Sequence, residues 1–183
     1  MITGYLFILI GAGLNALSSL GVFNFALGGY LIVAGGIHHL PTSVKELRIA
    51  IKFAFVALGI SLAFTLFRGV LMSNFWLNGF AYVLYTFFSV GTFFWVLKAE
   101  YIWSPHAKKR MDLLVYSVVA LLHLVLTTFD VVSWLNVNLV LLSFRLVEFT
   151  RFVNLLRYLV LLFILAKLYL ESRRNGPGLR RWN

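Results

Sequence analysis

The sequence predicts an all-α, polytopic bundle of membrane-spanning helices, and three observations predict it. Apolar residues make up 61% of the chain and charged ones 12%, with a mean hydropathy of +0.92. A soluble domain carries about a quarter charged residues, so half that supply leaves most of the surface to face lipid. Six apolar stretches, each about as long as or longer than the roughly 20 residues that cross a hydrocarbon layer, follow one another along the chain. Finally, the positive charge is confined: 45–52, 98–110 and 167–181 hold three, four and five of the sixteen lysines and arginines.

Those three segments fall on alternate connections, so six spans bring them to one side. The positive-inside rule makes that side the cytoplasm and places both termini there, in the cell membrane. Residues 1–171 then form one transmembrane domain and 172–183 a basic cytoplasmic tail. The net charge of +10 makes no continuous basic face, so the bilayer, and not a nucleic acid, is the implied partner. The chain has no cysteine, which excludes disulfides, thiolate chemistry and Cys-based zinc sites.

The first helix is expected over 2–20. No basic residue precedes it, although Ala16-Leu17-Ser18 resembles a weak cleavage site, so it reads as a span and not as a secretory leader. Gly4, Gly11, Asn15 and Ser18 share one face, and Ala12 with Ala16 makes a small-xxx-small pair suited to close packing in lipid. The second helix, 23–40, is rich in glycine and stops at Pro41. His38 and His39 are adjacent, about 100° apart on a helix, and do not converge on one metal.

The third helix, 47–71, carries Ser61, Thr65 and Arg68 towards its far end, where Arg68 can snorkel to headgroups. A turn over 72–79 holds Trp76, which suits an interfacial belt. The fourth helix, 77–98, has a polar stripe of Asn78, Tyr82, Tyr85, Ser89 and Thr92 at steps of four and three. Lipid cannot satisfy these groups, so the stripe faces the bundle interior, as a cavity wall or as hydrogen-bonding glue between helices.

The second basic connection repeats the proline-then-basic pattern of the first at an offset of about 64 residues, a faint sign of duplication. On the fifth helix, 111–131, Tyr116, His123 and Asp130 are seven apart, with Thr127 beside them. His123 is mid-span. The other three histidines lie at the basic end, so two-histidine haem ligation is excluded and no cofactor is expected.

A turn at 131–138 leads to the last helix, 139–171, which would be roughly 50 Å long against about 30 Å of hydrocarbon. It must tilt and project, or bend into an interfacial half and a spanning half. Arg145, Glu148, Arg151, Asn154 and Arg157 recur along it at every third position. The stripe winds across about 240° of the helix. Glu148 can pair with Arg145 or Arg151, and Arg157 must look to other helices, with Tyr82, Tyr85 and Ser89 as its leading partners.

Charge at such depth marks a functional site by default. Three accounts fit. The first half lies at the interface and Arg157 alone is immersed; or the arginines line a cavity and take a small anionic solute on the guanidinium fork; or the helix senses voltage. FRLVEFTRFVNLLR resembles the voltage-sensing helix of voltage-gated ion channels, whose arginines also recur every third residue, though Glu148 and Asn154 stand where that pattern has arginine.

In size, topology and the Ala12/Ala16 pair, the chain also resembles the substrate-binding component of energy-coupling-factor vitamin transporters. That resemblance implies a membrane subunit working with a protein partner; a homo-oligomer is a further possibility. An enzyme fits poorly, because only His123 and Asp130 share a face in the way that catalytic groups require. The expected function is binding or transport of a small anionic solute, with Arg151 and Arg157 supplying charge and Glu148, His123 and Asp130 orienting them.

Overall fold

The computed structural model describes residues 2–19, 25–41, 43–103, 107–134 and 140–174, and at 71, 72, 75, 134 and 140–145 their backbone alone. Residues 20, 23 and 24, expected in the first two helices, the second half of the turn expected at 131–138, Pro105 with His106, most of the basic tail and the side chain of Arg145 lie outside this description. What is described is an all-α bundle. Its helices are α1 (Ile2–Ser19), α2 (Ala26–His38), α3 (Lys45–Leu66), α4 (Arg68–Ser73), α5 (Phe75–Trp103), α6 (Ala107–Trp134) and α7 (Val140–Arg174).

Five of these, α1, α3, α5, α6 and α7, are long and apolar enough to cross a membrane. The second helix is shorter than expected: α2 has 13 residues, or about 20 Å against roughly 30 Å of hydrocarbon. The third helix ends at Leu66, not at 71. Phe67 leaves helical geometry at φ −109° and ψ 25°, and the separate short α4 follows. The side-chain oxygen of Asn74 then accepts the Leu77 N–H at 3.1 Å, so α5 starts on a capped turn two residues earlier than expected. No break interrupts α7, whose 35 residues extend about 52 Å as one helix.

Glycines set the first contact. A Cβ on Gly4 would lie 2.8 Å from the Gly36 carbonyl oxygen, and one on Gly11 would lie 2.5 Å from that of Gly29. Both pairs are seven residues apart and meet in reverse order, so α1 and α2 are antiparallel with their backbones almost touching. The alternate glycines Gly28 and Gly35 face open space. Onward from this hairpin, α2 packs on α3, α3 on α5, α5 on α6, α6 on α7, and α7 returns to α1. The six longer helices thus close a ring.

Cross-helix contacts give the ring two unlike halves. Lys109 with Glu100 joins α6 to α5, and Lys167 with Asp112 joins α7 to α6, at the end that also carries Lys45 and Arg48. That half is filled by a core of Ile8, Val33, Ala54, Phe93, Ala120 and Leu161 with their neighbours. Around the outside, apolar side chains such as Phe55, Phe80, Leu121 and Phe163 are exposed on successive helices. A soluble globule would not leave such a belt open to water.

Candidate functional site

The other half of the ring is not filled. A cavity of about 350 Å³ lies there, with walls from all six longer helices. Asn15 and Ser18 come from α1, Ala26 from α2, Ser61 from α3, Tyr82, Tyr85, Thr86 and Ser89 from α5, and His123 from α6. The last helix supplies Thr150, Arg151, Asn154, Arg157 and Tyr158. Steps of three and four along α5 and α7 keep each set on one face, which is why the two polar stripes meet across this space.

Arg157 is 2% exposed. Its Nη1 donates to the Ser89 hydroxyl at 3.3 Å, one of the three partners expected from the sequence. The guanidinium carbon lies 4.4 Å from the centroid of the Tyr158 ring, a contact favourable for a cation. Nε, also buried, has no hydrogen-bond partner. Among the described residues no carboxylate pairs with Arg157, and no Asp or Glu lines the cavity. A buried cation without a counter-charge is costly by several kcal/mol.

Other walls are polar and unsatisfied too. His123 is 2% exposed, and neither ring nitrogen has a partner. The same holds for both side-chain polar atoms of Asn15, for the Thr150 hydroxyl and for the Asn154 carbonyl oxygen. Buried polar groups in a folded protein are nearly always hydrogen-bonded. Several orphans around one cavity mark a place for a polar occupant.

The remaining predicted site residues are distributed unevenly. Tyr85 is half-buried and meets Tyr30 edge-on, their ring centroids 5.9 Å apart. Tyr82 is 39% exposed, less than Phe80 and Phe87 but more than the half-buried Phe94, which packs against the core instead of facing outward. Arg151 is exposed and pairs with Glu148 at 3.5 Å on its own helix, as three-residue spacing allows. Glu148 lines neither cavity. Asp130 lies with Asn78, Tyr82, Thr150 and Arg151 in a second cavity of about 250 Å³, which shares the last three with the first. It is not among the groups that line the Arg157 cavity.

Some stripe members serve the bundle. Thr92 donates to the Phe88 carbonyl at 2.8 Å, Thr127 donates to that of His123 at 2.8 Å, and Tyr116 bridges to the Val90 carbonyl on α5 at 3.3 Å. Sequence reasoning missed Thr86 and Thr150, whose steps of three or four from Ser89 and Asn154 were the available signal, and it read Asn15 as packing alone. Comparison with protein-family models, with curated proteins and with solved structures gave no match to this chain.

Proposed function

We propose that this protein binds, and in a membrane moves, a small anionic solute in the cavity between α5, α6 and α7. One observation carries the reading: Arg157 is buried in a polar cavity whose described lining holds no carboxylate to neutralise it. An anion would supply the missing charge and accept from groups now lacking partners. Arg151, at the junction of the two cavities, would guide the solute inward, with Glu148 holding its side chain.

Six spans with both termini cytoplasmic would open this cavity away from the cytoplasm, because its walls lie at the end opposite Lys45, Lys109 and Lys167. The packed core of the basic half suits a state closed on the cytoplasmic side. It suits equally a substrate-binding subunit that a partner protein opens, which is the second reading. Native mass spectrometry of the protein released from membranes tests the first: a small acid should be retained, and should be lost in Arg157→Gln. Retention of lipid alone would sink it. Stoichiometric recovery of a second chain from gently solubilised membranes would favour the second reading.

A further inference from the structure

We infer that the anion is a monocarboxylate held side-on by Arg157, an inference that rests on the anion-binding reading above. The guanidinium has two straight edges, and its fixings decide which remains available. Ser89 takes Nη1, and the Tyr158 ring covers one face. The Nε–Nη2 edge is left, and Nε is the buried donor without a partner. Two parallel N–H groups on that edge each meet one oxygen of a planar carboxylate, whereas a halide offers a single centre that both must share in bent hydrogen bonds.

Charge argues in the same direction. Among the described residues Arg157 is the one fully buried cation in the cavity, and Arg151 is already paired with Glu148. A divalent oxyanion would therefore keep an uncompensated negative charge away from water, at a desolvation cost that a monoanion escapes. The rest of the ligand would be uncharged and able to both donate and accept. Asn15 offers a free amide nitrogen and a free oxygen, and His123 has two unpartnered ring nitrogens. A cavity of about 350 Å³ sits at the small end of the range for ligand sites, so the body is no larger than one ring or a short chain.

The test uses the full chain in nanodiscs, with Phe64→Cys, in an apolar part of the cavity wall, as the reporter, since the protein has no other cysteine. Labelling by a maleimide is timed in acetate, benzoate, chloride or phosphate at equal ionic strength. A carboxylate should slow labelling by about tenfold at ten times its dissociation constant. Chloride and phosphate should slow it less than twofold. Arg157→Lys, which keeps the charge and loses the fork, should reduce the carboxylates to the level of chloride. Equal protection by phosphate or chloride, or unchanged carboxylate protection in Arg157→Lys, overturns the carboxylate inference and leaves the anion reading standing. No protection by any of the four anions overturns both.

Discussion

Arg157 on α7 and Ser89 on α5 lie 68 residues apart in sequence and meet through one hydrogen bond of 3.3 Å inside the ring. The bond is between a permanent cation and a neutral hydroxyl, so neither partner leaves an opposite charge behind when it is removed. Arg157→Leu should therefore fold with a thermal midpoint within a few degrees of the parent, or above it, because it relieves a desolvated charge. Ser89→Ala should be the worse of the two, at about 1.5–3 kcal/mol, since it strands a buried charged donor. The double variant should resemble Arg157→Leu alone. Thermal unfolding of the four proteins gives the order, and a severe loss in Arg157→Leu would show that the cation is structural.

The ion pair of Lys109 and Glu100 is of the opposite kind. Their nitrogen and oxygen are 3.0 Å apart, with side chains 8% and 3% exposed. Lys109→Met should cost about 3–5 kcal/mol by leaving the carboxylate buried, while Lys109→Met with Glu100→Gln should recover most of that. A loss in the double variant equal to the sum of those in Lys109→Met and Glu100→Gln would mean that the two side chains act independently.

The bundle was legible because its signals are local and strong. Apolar length marks each helix, and the steps of three and four that define a face are plain in the residue order of α5 and α7. Arg157 meeting Ser89 followed from two stripes that had to face something polar. The misses lie where meaning depends on what stands opposite. Asn15 sits among Gly4, Gly11 and Ser18 on a face that does pack closely, yet its own end of that face borders the cavity. Asp130 shares a helical face with His123 but stands two turns away, which takes it into the neighbouring cavity. The break at Phe67 has no proline or glycine at the residue itself to announce it.

Glycine substitutions separate contact from propensity. A Cβ on Gly11 would meet the Gly29 carbonyl oxygen, while one on Gly13 would meet nothing within 4 Å. Gly11→Ala should push α1 and α2 apart and cost about 1–3 kcal/mol. Gly13→Ala should be neutral or stabilising by up to about 1 kcal/mol, as it removes a flexible residue from a helix interior. Thermal unfolding should place the two variants on opposite sides of the parent, and similar shifts would mean that the hairpin is looser than its glycine contacts imply.

The orientation of the ring can be tested one residue at a time, because any introduced cysteine is unique. Ser43 and Lys108 are exposed at the basic end, and Ser73 is exposed at the other, where α4 meets α5. With basic connections retained in the cytoplasm, Ser73→Cys should react with an impermeant maleimide in intact cells, and Ser43→Cys and Lys108→Cys only after permeabilisation. Phe25 decides the part of α2. It precedes a helix of 13 residues that runs antiparallel to α1, so in a six-span arrangement it lies on the Ser73 side. Because about 20 Å of helix falls short of the hydrocarbon thickness, Phe25→Cys should react from outside more slowly than Ser73→Cys. Phe25→Cys unreactive from either side would leave five spans with α2 dipping into the layer, and labelling of Ser43→Cys in intact cells would invert the whole orientation.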